Sequence, residues 1–230
     1  DEATIRRVRS ATEQRGLSVA ALSGMYNMIH PDHKRRRTGM RQLGVLIAAA
    51  RGLGTEVVTL CSGTRDPDNM WRRHPANDEP DAWEDVRAAM IEAVRLAEAH
   101  DVTLAFEPEV ANVVDSAHKA RRLLDEVGSP RLKVVLDGAN IFHKGEVPRM
   151  REMLTEAVDL LAGDIIIAHA KDLDRDGEAG HLPAGYGLLD YAHYIGLLQR
   201  AGFTGPILLH GLREDQVDGC RDFILKWLEG

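Results

Sequence analysis

Residues 102–137 read VTLAFEPEVANVVDSAHKARRLLDEVGSPRLKVVLD, and the fold is decided here. The two ends, Val102–Phe106 and Leu132–Leu136, are short runs that are nearly continuous in apolar residues. Such runs suit strands covered on both faces, as in parallel sheets. Between them, residues 115–127 put Ala117, Ala120, Leu124 and Val127 on one helical face, and the pattern stops at Gly128 and Pro130. Strand, helix and strand in this order make one βαβ unit.

The same alternation continues in both directions. Ser18–Leu22, Glu56–Leu60, Ile165–Ala168 and Pro206–Leu209 are further strand-like runs. Helical periodicity fills residues 3–15, 38–52, 81–99, 148–161, 190–201 and 216–229. Asp81, with Glu84 three residues later, predicts the cap of the 81–99 helix. Repeated strand–helix units imply an α/β fold with parallel strands and right-handed crossovers. Two architectures satisfy this: an open doubly wound sheet and a closed (β/α)8 TIM barrel. Six strands are visible, so a barrel requires two more strands upstream, roughly 45 residues at about 30 per unit. No Ser- or Pro-rich linker and no charge shift divides the sequence, so residues 1–230 are expected to form a single domain, N-terminally incomplete if it is a barrel.

Composition narrows the function classes. Lys and Arg number 29 against 36 Asp and Glu, a formal net charge of −7, which argues against a nucleic-acid partner. No run approaches the roughly 18 apolar residues that a membrane helix needs. Cys61 and Cys220 lie too far apart for a zinc or redox pair, and a reduced, cytoplasmic location is the expectation.

The polar residue closing each of four successive strands carries the chemistry. Leu-Ala-Phe runs into Glu107, Val-Val-Leu into Asp137, Ile-Ile-Ala into His169 and Ile-Leu-Leu into His210. In parallel α/β proteins the C-terminal strand ends face the functional side. Two carboxylates and two imidazoles form a mixed O/N shell suited to a transition-type divalent ion rather than to Ca. Taken singly, each could instead cap a helix or satisfy loop amides, and together they could be a metal-free acid–base cluster.

With these residues in place, the sequence resembles the xylose-isomerase-like TIM barrels, the sugar-phosphate isomerase/epimerase and AP-endonuclease-type superfamily. The motifs that carry it are Phe106-Glu-Pro-Glu-Val-Ala-Asn112, Leu136-Asp-Gly-Ala-Asn140, His169-Ala-Lys-Asp172, Gly185-Tyr-Gly-Leu-Leu-Asp190 and Gly202-Phe-Thr-Gly-Pro-Ile-Leu-Leu-His210. The resemblance implies that the visible strands are the third to eighth of a barrel. It implies one divalent ion (Mn, Zn, Co or Mg) on Glu107, Asp137, His169 and His210. Two positions depart from the family: His210 stands where most members have Glu, and Asn140 where the epimerases have a His.

The implied activity is isomerisation or epimerisation of a sugar or keto-polyol, in which a divalent ion lowers the cost of an enediolate. Glu107 is expected as base, His210 as a second proton carrier and Lys171 on the oxyanion. Asn27, His30, Asn112 and Asn140 are expected against the substrate, although Asn27 and His30 could equally build their loop and Asn112 could cap a helix. A lyase or dehydratase on the same site, a DNA-repair phosphodiesterase and a degenerate barrel serving as a binding subunit are the alternatives, and a homo-oligomer is compatible with each. The basic run His33-Lys-Arg-Arg-Arg37 with Arg41 is either a solvated face or a seat for an anionic substrate group. The Gly-rich stretch from Gly177 to Gly187 is expected to be an active-site loop or lid.

Overall fold

The computed structural model describes residues 1–228. The elements alternate as α1 (Glu2–Glu13), β1 (Leu22–Ser23), α2 (His33–Leu53), β2 (Val57–Cys61), α3 (Pro80–Ala99), β3 (Thr103–Glu107), α4 (Ala117–Val127), β4 (Leu132–Asp137), α5 (Met150–Leu161), β5 (Ile165–Asp172), β6 (Leu182–Pro183), α6 (Tyr191–Arg200), β7 (Ile207–Leu209) and α7 (Val217–Leu228). β1 to β5 lie side by side in chain order, all parallel, and β7 runs parallel along β5. Six parallel strands alternating with helices form the wall of a TIM barrel, with no pairing between β1 and β7 among the described residues. No helix among the described residues is long and apolar enough to cross a membrane.

The nearly continuous apolar strands are explained by two buried faces. Leu104 and Phe106 of β3, and Val134 and Leu136 of β4, pack into the large core beneath the helices. The alternate residues Ala105 and Val135, with Ile167 of β5, form a second cluster on the inner face, backed by Val57 and Leu208. Side chains alternate along a strand. Two residues beyond each inner apolar residue therefore come Glu107, Asp137, His169 and His210, and the parity that builds the inner core also aims these four inward. A bulge in β5 keeps this parity, since Val134 pairs with Ile165 and Val135 with Ile167, so that Asp137 and His169 end in register.

Several boundaries differ from the expectation. The first strand is Leu22–Ser23 rather than 18–22, because only Val58 and Thr59 pair with it and its other edge is open. α2 begins at His33 rather than at 38, because the Asp32 carboxylate accepts from the Lys34 N–H at 2.7 Å and caps the helix ahead of the basic run. α3 begins at Pro80 with Glu79 before it, and no side chain caps it. Asp81 pairs instead with the buried Arg65, at 3.0 Å.

The stretch from Gly177 to Gly187 contains β6, which pairs antiparallel with Lys171 and Asp172. Asp172 is 1% exposed and pins this segment. Its carboxylate accepts from the N–H groups of Leu173 (2.9 Å), Leu189 (2.9 Å) and Gly185 (3.1 Å). Removing that acceptor orphans buried amides at about 1–3 kcal/mol each. Asp172→Ala is therefore expected to lower unfolding stability by roughly 3 kcal/mol or more in a urea titration. A loss under about 1 kcal/mol would mean the loop is held by something else.

Candidate metal centre

Glu107, Asp137, His169 and Lys171 are all 6% exposed or less, and they meet at the C-terminal mouth of the strands. The His169 Nδ1 atom lies 3.5 Å from Glu107 Oε2 and 3.6 Å from Asp137 Oδ2. The Lys171 ammonium lies 3.3 Å from the same Asp137 oxygen. His210 follows β7 directly, is exposed, and sets its ring 4.8 Å from that of His169 at 51°. One ligand atom each from Asp137, His169 and His210 falls within 4.8 Å of the others.

Three buried side-chain polar atoms among the described residues have no hydrogen-bond partner: Asp137 Oδ2, His169 Nδ1 and Glu109 Oε1. Buried polar atoms are almost always paired, because leaving one bare costs free energy. Two of these three belong to the triad, whose oxygen and nitrogen donors match a divalent ion of the Zn or Mn type. The residues present therefore fit such a cation. The other Asp137 oxygen is already used, accepting from the Ala139 N–H at 2.9 Å, so that Oδ2 is turned into the cluster.

The charges support this arrangement. Burial works to raise the Asp137 carboxyl, but Lys171, His169 and His210 overcome it and hold the group below the usual carboxylate range. Burial works to lower His169, yet Asp137 and Glu107 outweigh it and push the imidazole up to about 9. Burial, reinforced by Glu107, pushes Glu109 up to about 8.

A pH dependence follows from His169. Near neutral pH its imidazole holds a proton that an incoming cation must displace. Divalent-ion affinity should rise roughly tenfold per pH unit between about 7 and 9 and level off above, as read by calorimetry in buffers of different ionisation enthalpy. In metal-free protein the sign is reversed. The ion pairs of charged His169 stabilise the fold fully below pH 6.5 and are lost as pH rises through about 9, so Tm in chelator should fall across that window.

The four remaining residues expected at the site are placed by their hydrogen bonds. Asn140 Nδ2 donates to Glu107 Oε1 at 2.6 Å, and its Oδ1 accepts from the Gly180 N–H at 2.9 Å, which fixes the orientation of the amide. Asn112 caps no helix; Ser116 caps α4, accepting from the Lys119 N–H. Asn112 Oδ1 accepts from the Gly63 N–H (2.7 Å), while its Nδ2 donates to Glu109 Oε2 (3.2 Å). The polar atoms of Asn27 are engaged by the next loop, donating to Thr64 O (2.8 Å) and accepting from the Thr64 N–H (3.0 Å). His30 Nδ1 accepts from the Asp32 N–H, so Nε2 carries the proton and donates to Pro67 O at 3.0 Å. Asn27 and His30 thus line a separate cleft with Lys34 and Arg35, outside the Asp137–His169–His210 cluster. Within the basic run, Arg36 pairs with Asp85 at 2.7 Å.

Glu109 is not among the residues that the sequence reading places at the site. The signal available for it is its position two residues after Glu107, in the loop that leaves β3.

The family described as "Xylose isomerase-like TIM barrel" matches residues 1–224. Among solved structures, 3-keto-D-glucoside 4-epimerase from E. coli is similar, with a TM-score of 0.73 at 18% identity over 99% of this chain and 85% of that one. A D-tagatose 3-epimerase-like protein gives 0.78 at 15% identity, over 100% and 84%. A xylose isomerase-like TIM barrel protein from Mycobacterium smegmatis, in complex with magnesium, gives 0.73 at 18% identity, over 100% and 78%. Barrel strands in parallel order, a family match across nearly the whole sequence and these shared architectures agree: the chain belongs to the xylose isomerase-like TIM barrel family.

Proposed function

We propose that this chain is a divalent-metal-dependent isomerase or epimerase of a small keto-sugar or keto-polyol, working by proton abstraction next to a carbonyl. The observation that carries this reading is that Asp137 Oδ2 and His169 Nδ1 converge, buried and without a hydrogen bond, at ion-pair distance from each other, with Lys171 at ion-pair distance from the Asp137 oxygen, beside an oriented Glu107 carboxylate. Asp137, His169 and His210 would hold the ion, with Glu107 Oε2 beside them. When bound, such an ion supplies Lewis acidity that polarises a carbonyl oxygen.

The protein's own groups do the rest. Asn140 holds Glu107 Oε1, which leaves Oε2 as the atom to take a proton from the substrate carbon. The Lys171 ammonium, buried beside Asp137, offers a positive charge to an oxygen that becomes anionic. His210, exposed at the rim, would complete the set of residues that hold the ion. Asn112 locks the loops after β2 and β3, and Asn27 and His30 hold the loop at residues 64–67.

Incubating Mn-loaded protein with ketopentoses, ketohexoses and 3-keto-glycosides in D2O tests the reading. Deuterium should enter at the carbon next to the carbonyl, followed by NMR, and chelator should stop it. No exchange with any of these classes in Mn-, Co-, Zn- and Mg-loaded protein would overturn the proposal.

A further inference from the structure

Glu109 is 3% exposed, and its two oxygens have different fates. Oε2 accepts from Asn112 Nδ2 at 3.2 Å. That amide cannot rotate to serve Oε1 instead, because its own Oδ1 is held by the Gly63 N–H at 2.7 Å. Oε1 is left buried with no partner. A buried carboxyl oxygen in this state has given up water and gained no partner, which is unfavourable. A carboxyl whose purpose was structural would have both oxygens satisfied, as Asp172 has. The other two bare atoms are accounted for by a cation on the triad, but Glu109 is not one of the triad's ligands. The loop that carries it is tied to the centre already described, since the Val110 N–H donates to Asn140 O at 3.0 Å and Asn140 Nδ2 holds Glu107.

A third bare atom at the same centre calls for a second kind of ligand. A hydroxyl group suits it, since a hydroxyl both donates and accepts. We propose that Glu109 Oε1 binds a hydroxyl of the substrate and makes the site select keto-sugars bearing that hydroxyl over their deoxy analogues. The inference rests on the keto-sugar reading of the site. It assigns Glu109 to substrate selection rather than to metal binding. A site built around a buried hydrogen bond rejects a ligand that lacks it strongly, because the protein atom is then left bare.

The test uses the full chain loaded with Mn, and calorimetry with D-fructose, D-tagatose and their monodeoxy derivatives. Wild-type protein should bind one of the two ketoses at least tenfold more tightly than one monodeoxy form. Glu109→Leu should lose that preference and at least tenfold in ketose affinity, with Mn affinity within about threefold of wild type. Glu109→Gln, which keeps a hydrogen-bonding oxygen, should recover part of the ketose affinity. Equal ketose affinity in wild type and Glu109→Leu overturns this inference and leaves the keto-sugar reading standing. A wild-type protein that binds Mn but neither ketose overturns both. If Glu109→Leu fails to fold, the comparison of ketose with deoxy-ketose in wild type decides alone, and equal affinity for both overturns the inference.

Discussion

Asp137→Asn should abolish divalent-ion binding, with affinity down by at least about 10³-fold, and should also destabilise the metal-free protein. The two effects have different origins. Changing a residue that merely orients a metal ligand typically costs about 10–100-fold in affinity, and a ligand that contributes both charge and a bare oxygen should cost more. In the metal-free protein, Asp137 is the anion facing both Lys171, at 3.3 Å, and His169, at 3.6 Å. Neutralising it leaves two buried cations with Glu107 as their remaining nearby anion, and breaking a buried pair from one side costs about 3–5 kcal/mol. The isosteric amide keeps the acceptor for the Ala139 N–H, so the turn after β4 is not the cause. Elemental analysis and calorimetry read the first effect, and urea unfolding in chelator reads the second. If wild-type protein takes up no divalent ion while Asp137→Asn still loses stability, the cluster is an ion-pair network and not a metal centre.

The contrast with Glu109 shows what is legible in the sequence. Glu107, Asp137, His169 and His210 can be found because each closes an apolar strand, and strand parity then aims them to one side. The same parity distinguishes the two clusters of buried strand residues, so the barrel wall and its inward face follow from the hydrophobic pattern. The bulge at the start of β5 is invisible there, because consecutive isoleucines give no sign of which one is extra. The start of α2 lies ahead of the point that charge alone indicates, because two opposing effects act on it. Basic residues in a first turn cost up to about 1 kcal/mol each, less when exposed, but an Asp cap offsets a comparable amount. The roles of Asn112 and Asn27 depend on partners 49 and 37 residues away, which no local spacing encodes. β6 exists because Asp172, at the end of β5, gathers amides as far ahead as Leu189. A two-residue strand of that kind has no periodicity to detect.

Glu107→Gln should leave the fold and the loop contacts intact and lower turnover by about 10²–10⁴-fold, the range general-base removal usually gives. The geometry makes this a clean substitution. A glutamine can present its carbonyl oxygen to Asn140 Nδ2 in place of Oε1, so that hydrogen bond survives. Its amide nitrogen then occupies the position of Oε2, 3.5 Å from His169 Nδ1, where it can take no proton from a substrate carbon. Asn140→Asp provides the second arm. The Asn140 amide is locked by Gly180 with its nitrogen towards Glu107, so this substitution sets a new carboxylate against that of Glu107 at the 2.6 Å contact. Like charges that close cannot both ionise, so one of the two carboxyls takes up a proton. If Glu107 takes it, Asn140→Asp lowers turnover and shifts the rising limb of the pH–rate profile upward, whereas Asn140→Ala lowers turnover without that shift. Deuterium exchange into the substrate measures all three variants on one scale. Exchange by Glu107→Gln within about threefold of wild type would remove Glu107 from the role of base.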